Sequence, residues 1–273
     1  MARKHLLKDM TWYEFRDRLP ENPAILISLG SQEEQGPHSP MGDHMITDRL
    51  AAMVAERADA IATPVIPYGY AEYFRPFPGG VQLRAETFVM LVEDICRSFL
   101  DHGLDHLVVF NGHTGNFPLI NQAVRKIKAE YGVMIPCLNT WQLLTPAFRK
   151  EIWGDRAATA GGHGADPIAS VYLHLFPELV RRDLYEAKPK KTALGLPPAS
   201  WNGVKFQNVE VPVPLDADDV CENGVMSGDP MGASAETGRK VADYIVDFSV
   251  AFVTHFRGQN SRIAKAEVPR RPV

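Results

Sequence analysis

Apolar residues recur along this chain in two rhythms. Ala24 to Leu29 (AILISL), Ala60 to Ile66, Leu107 to Phe110 (LVVF) and Val133 to Asn139 are short, largely apolar runs. Such runs read as strands buried on both faces of a parallel sheet. Helical spacing fills the intervals: a short amphipathic helix within Met10 to Leu19 opened by Thr11, then the segment after His44, Ala85 to His102 ended by Gly103, Pro118 to Tyr131, and a last helix from about Ala233 onward. Strand and helix alternate, which predicts one α/β domain with a mostly parallel sheet and a core over about 24–250. Glu186 to Asp218 is irregular and proline-rich, so it predicts loops with at most an edge hairpin. The polar tail, 257–273, is expected to be loose.

The chemistry sits where strands end. After Leu29 comes GSQEEQGPHSPMGDH, residues 30–44, in which Glu33, Glu34, Gln35, His38, Asp43 and His44 are punctuated by Gly36, Pro37, Pro40 and Gly42. That punctuation excludes regular structure, and open parallel sheets place ligands beyond the carboxyl ends of their strands. The third strand leads into NGHTGN, residues 111–116, presenting His113 at the same edge if the two strands are neighbours. A Glu and a His delivered to one edge make a metal-ligand pair. Between them lies YGYAEYFRPFPGGVQL, residues 68–83, a long aromatic loop whose Tyr70 and neighbours are either pocket wall or packing. Trp141 lies just beyond the fourth strand. In TAGGHGADPIAS, residues 159–170, His163 approaches a helix N-terminus. There the dipole favours a neutral ring able to take a proton, and Asp166 reads by itself as a helix cap.

Composition narrows the partners. The chain has 273 residues, 45% hydrophobic and 23% charged, with a formal net charge of -4. This gives no basic surface for nucleic acid or anionic lipid. No apolar run is long enough for a membrane span and no signal-peptide core opens the chain, so a cytoplasmic setting is expected. Cys96, Cys137 and Cys221 are far apart and odd in number, arguing for reduced thiols.

With these residues in place, the chain resembles the creatininase family of metal-dependent amidohydrolases. The family motif GSxEQHGPHLPLGTD is matched in length and frame by Gly30 to His44, NGHxGN by Asn111 to Asn116, HAGExETS loosely by His163 to Ser170, and GDPxxAxxExGR by Gly228 to Arg239. The resemblance spans about Ala24 to Val246. It implies a three-layer αβα sandwich, a metal centre at the carboxyl ends of the strands, and a homo-oligomer, often a hexamer. In two-metal relatives one ion is held by the Glu of the first motif, the Asp that ends it and the His of NGHxGN. The second ion shares that Asp and adds the His of EQHGPH and a later carboxylate.

The departures carry their own reading. Glu33 and His113 are kept, but His44 stands in the bridging Asp position, Gln35 in the second-metal His position, and Ile168 replaces the second Glu of HAGExETS. An imidazole cannot bridge two cations and an amide is a poor zinc ligand. The expected site is therefore mononuclear, one divalent metal on Glu33, His44 and His113, with zinc first and manganese or ferrous iron behind it. The competing arrangement has Asp43 supply the carboxylate while His44 faces elsewhere. His163, carried over from the family's HAG motif, is expected to shuttle a proton, with Asp166 orienting it or activating water. Gln35, His38, Asp43, Asn111, Tyr70 and Trp141 are expected around the metal or the substrate. His38 is read as holding the loop, and Asn111 and Asn116 as pinning turns. The expected activity is hydrolysis of a small polar cyclic carbonyl compound at an amide C–N bond. The alternative is C–C opening of an oxidised inositol of the 3-dehydro-scyllo-inosose type. From another class come a metal-dependent sugar isomerase or epimerase, and an inactive binding homologue.

Overall fold

The protein is described here by a computed structural model covering residues 3–263. Four strands, β1 (Ile25–Leu29), β2 (Ile61–Ala62), β3 (Leu107–Asn111) and β4 (Cys137–Asn139), form a wholly parallel sheet in the order β2-β1-β3-β4. The helices are α1 (Trp12–Arg16), α2 (His44–Arg57), α3 (Ala85–Asp101), α4 (Phe117–Tyr131), α5 (Pro146–Trp153), α6 (Ile168–Leu175), α7 (Ala217–Val220) and α8 (Ala235–Arg257). Successive strand side chains point to opposite faces, and both faces are covered. Leu26, Val108, Phe110 and Leu138 face α2, α6 and α8 through Leu50, Val54, Tyr172, Val241 and Ile245. Ile25, Ile27, Leu29, Leu107 and Val109 face α3 and α4 through Phe88, Val92, Ile120 and Ile127. The result is the expected sandwich of helix, sheet and helix. Among the described residues no helix is long and apolar enough to cross a membrane.

Several expectations are corrected in detail. The second strand shrinks to Ile61–Ala62, with one further bridge between Leu29 and Ile66, because Pro64 and Pro67 interrupt the ladder. β4 starts only at Cys137, since Val133 pairs instead with Arg262 and Pro136 precedes the strand. Helix α5, not expected from the sequence, is opened by Thr145, whose hydroxyl accepts the Phe148 N–H at 3.2 Å. The irregular region contains a small antiparallel sheet of β5 (Pro198–Ser200), β6 (Gly203–Phe206) and β7 (Val209–Pro212). The start of the tail is pinned, not loose: Met134 N–H donates to Ser261 O at 2.9 Å and Arg262 Nε to Asp105 at 2.7 Å. The rest of the tail, 264–273, lies outside the described residues.

Register places the chemistry. Leu29 pairs with Asn111, and Asn111 with Asn139, so β1, β3 and β4 end at one level. Gly112 N–H then donates to Leu29 O at 2.8 Å, binding the two following loops side by side.

Candidate metal centre and its pocket

The loop after β1 folds back on itself. Gly42 N–H donates to Glu33 O at 2.5 Å, and Gly42 has φ +85°, where a Cβ would lie 2.1 Å from Ser31 O. Only glycine lets the chain pass there, and the pass brings Asp43 over Glu33. Ser31 ties the two carboxylates together: its N–H donates to Asp43 Oδ1 at 2.8 Å and its hydroxyl to Glu33 Oε2 at 2.7 Å. From the neighbouring loop His113 completes the group, with Nδ1 at 3.0 Å from Glu33 Oε2 and 3.3 Å from Asp43 Oδ2. One ligand atom from each of Glu33, Asp43 and His113 lies within 4.8 Å of the others, and all three residues are buried.

This group fits a divalent cation. His113 Nε2 lies 3.0 Å from Tyr70 O, so Nε2 carries the proton and Nδ1 keeps its lone pair for a metal. Two carboxylates and a neutral imidazole leave a charge that a dication balances. In the metal-free protein, burial works against the imidazolium, but Glu33, Tyr73 and the hydrogen bonds to Asp43 and Glu33 outweigh it and raise the His113 pKa well above the ordinary value. A proton there occupies the place a cation would take.

His44 does not join the group, which corrects the expected Glu33, His44 and His113 set. As the first residue of α2 it turns away, its Nδ1 lying 3.1 Å from Ser31 O. Asp43, one position earlier, holds the place inside. Gln35 lies where expected beside the centre, its Nε2 donating to Glu33 Oε1 at 2.9 Å. That amide is on Oε1, whereas Ser31 and His113 are at Oε2.

The centre opens onto a cavity of about 620 Å³ lined by Tyr70, Tyr73, Phe74, Trp141, His163 and Trp201, among others. Burial pushes the Tyr73 phenol up to about 12, so it stays a neutral hydrogen-bonding group. His163 lies against Phe74, ring centroids 4.1 Å apart. Its Nε2 is 2.9 Å from Glu34 Oε1 and 2.6 Å from Glu34 O, leaving Nδ1 as the ring nitrogen with no protein partner among the described residues. Burial opposes its charged form, yet the Glu34 charge and hydrogen bond prevail and raise its pKa. This corrects the neutral ring expected from a helix dipole: α6 begins only at Ile168, five positions on, while a buried carboxylate is in contact.

Asp166 is also reassigned. Its Oδ2 accepts the Trp153 indole N–H at 2.9 Å and its Oδ1 accepts the Ser170 hydroxyl, so both oxygens are committed to packing α5 against α6. Neither His163 orientation nor a helix cap falls to it. Asn111 and Asn116 pin turns as expected: Asn111 Nδ2 donates to His113 O at 2.6 Å and Asn116 Nδ2 to Gly30 O at 3.1 Å. Trp141 donates its indole N–H to Gly112 O at 2.5 Å and lines the cavity. The His38 ring packs edge-to-face on Tyr185, centroids 5.4 Å apart, and burial lowers its pKa; it holds the loop through its carbonyl, which accepts Arg181 N–H at 2.7 Å. Sequence reasoning missed Ser31, Glu34 as the partner of His163, and Arg149 on the cavity wall. Only Ser31 had a local signal, two positions before Glu33.

Comparison with known proteins decides the family. The model of the family described as creatininase, creatinine amidohydrolase, matches residues 8–253. The chain belongs to the creatininase family. A mycofactocin precursor peptide peptidase of Mycobacterium ulcerans is 29% identical over 86% of this chain and 86% of its own. A 3-dehydro-scyllo-inosose hydrolase of Thermotoga maritima is 29% identical over 66% of this chain and 60% of its own length. Creatinine amidohydrolase of Pseudomonas putida is 27% identical, covering 70% and 80%. Among solved structures, a manganese creatininase superposes with TM-score 0.76 at 25% identity over 93% of this chain and 99% of its own. A Zn-Zn type creatininase mutant gives TM-score 0.75 at 24% identity over 93% and 99%. The protein is thus a hydrolase of a family with solved members described as zinc and manganese forms.

Proposed function

We propose that this creatininase-family hydrolase opens an amide C–N bond in a small, polar, cyclic carbonyl compound, using one divalent ion held by Glu33, Asp43 and His113. The observation that carries the reading is the buried group of these three side chains at the floor of a cavity that His163 shares. An ion bound there supplies a Lewis acid for the substrate carbonyl and makes water a nucleophile near neutral pH. With Asp43 in place of His44 the donors are two carboxylates and one imidazole, a harder set than Glu33, His44 and His113 would be, so manganese stands beside zinc. Ser31 and Tyr70 hold the three ligands in place. His163, protonated beside Glu34, gives its Nδ1 proton to the departing nitrogen, and Glu34 keeps the ring oriented while it does so. The aromatic walls exclude water around the ring of the substrate.

A second reading is C–C opening of an inosose-type cyclic ketone. It is supported by the likeness to the Thermotoga maritima hydrolase and by Gln35, whose neutral amide donates to Glu33 Oε1 and is a poor second-metal ligand, which favours one ion chelating adjacent oxygens. Metal content per subunit tests the centre common to both readings. Protein purified without a metal-binding tag is expected to hold one equivalent, kept in His44→Ala and lost in Asp43→Asn and His113→Ala. Two equivalents in the wild type, or loss in His44→Ala alone, would sink it. Incubation with cyclic amides and with inososes, following mass gain of one water, separates the two substrates.

A further inference from the structure

The cavity has a second pole. Among the described residues that line it, Arg149 carries the one permanent positive charge, in a cavity that Glu33 and Asp43 also line. Arg149 belongs to α5 and is held by backbone oxygens: Nε donates to Leu144 O at 3.2 Å and Nη2 to Trp141 O at 3.2 Å. Its guanidinium lies 5.9 Å from the Trp153 ring centroid. No carboxylate among the described residues pairs with it, and its partial burial lowers its pKa with no acidic neighbour to offset that. Gly161 lies beside Nη1: a Cβ there would stand 3.5 Å from it, at ordinary contact distance. Among the described residues the two hydrogens of Nη1 and the second hydrogen of Nη2 have no protein acceptor, and the residue lines the cavity.

A guanidinium never gives up its charge under these conditions, and leaving it half-buried without a counter-ion costs free energy. Its end-on pair of donors matches the two oxygens of a carboxylate. A single cation does not balance a dianion in a cavity that already holds two acids, which disfavours phosphate. We infer that the substrate carries a ring carboxylate, bound end-on by Arg149, while its scissile carbonyl lies toward Glu33, Asp43 and His113. Arg149 is then the residue that selects carboxylate-bearing cyclic amides or ureides over neutral ones. This rests on the reading that the cavity is the reaction site, and its test is independent of turnover.

The test uses matched probes that differ by one carboxylate: 5-oxoproline against 2-pyrrolidinone, and dihydroorotate against dihydrouracil. Affinities are measured by calorimetry on metal-loaded and metal-free protein. Wild type is expected to bind the carboxylate member about 10- to 100-fold more tightly, the range of a charge-assisted hydrogen-bonded pair, with or without metal. Arg149→Gln removes the preference while leaving the neutral members bound as before, and Arg149→Lys keeps part of it. Gly161→Asp provides a second route, because it sets a carboxylate beside Nη1 without touching the bonds of Arg149 to Leu144 and Trp141. It too is expected to abolish the preference.

Four results would overturn the inference. They are equal affinity for the two members or binding of neither, a preference that survives Arg149→Gln, a preference that vanishes when the metal is removed, and an equal loss for charged and neutral probes. Failure of the hydrolase reading looks different: the carboxylate preference stays intact while no probe or related ring gains water with any divalent ion.

Discussion

His163 and Glu34 lie 129 positions apart in sequence, yet their contact sets the proton chemistry of the pocket. Replacing His163 with Gln is expected to lower kcat by about 10²- to 10⁴-fold, the usual contribution of a positioned acid or base, without changing metal content. The sign of the pH dependence follows from the raised pKa. Below the ordinary histidine value of about 6.5 the ring is protonated whether folded or not, and in the folded protein it stays protonated somewhat above that. The acid is lost as pH rises through the raised value, so kcat falls on the alkaline side, and the stability gained from the ion pair fades over the same window. Glu34→Gln removes the supporting charge while burial remains, so the alkaline limb should move to lower pH. A limb that stays in place in Glu34→Gln would show that another group titrates. None of this could be read from the local sequence, which offered Asp166 three residues from His163 and a dipole in place of a carboxylate. The choice between Asp43 and His44 was equally hidden. They are adjacent at a junction of loop and helix, both grip Ser31, and only the path through Gly42 decides which one faces inward.

The strands β1 and β3 were legible as largely apolar runs ended by glycine, and α3, α4 and α8 as apolar stripes ended by glycine within two residues. Helix α5 was not, although Thr145 and Pro146 form an ordinary helix start, because only eight residues follow, too few for a sequence period to stand out. That helix matters, since it carries both Arg149 and Trp153. Asp166 joins it to α6 by accepting from the Trp153 indole and the Ser170 hydroxyl. Asp166→Ala leaves those donors buried without an acceptor. It should cost about 1–3 kcal/mol, seen as a fall of several degrees in Tm. Asp166→Asn keeps a carbonyl acceptor for one of the donors and should restore most of the stability, with kcat per folded molecule close to wild type. If Asp166 moved a proton in the reaction, the Asn variant would be as inactive as the Ala variant. Thermal melts and steady-state rates on the same preparations separate these roles.

The molecule as a whole puts its rigid and its adjustable parts on different sides of one boundary. Below the strand ends, two apolar layers clamp the sheet independently of any ion. Above them, Glu33 from the loop after β1 and Asp43 from the entry to α2 bring two like charges together in a buried space, beside His113 from the loop after β3. A cation that binds only the folded form stabilises it by RT ln(1 + [L]/Kd), about 2.7 kcal/mol when the free ion is at a hundredfold excess over Kd. Removing the metal should therefore lower Tm in wild type and equally in His44→Ala, but far less in Asp43→Asn, which has little bound ion to lose. Hydrogen exchange should place the loosening in residues 31–43 and 111–116, with the amides of β1 and β3 unchanged until global unfolding, because the sheet's own layers hold them. Exchange that quickened evenly through α2, α8 and the strands on metal removal would mean that the ion supports the core itself, and would erase the boundary between scaffold and site.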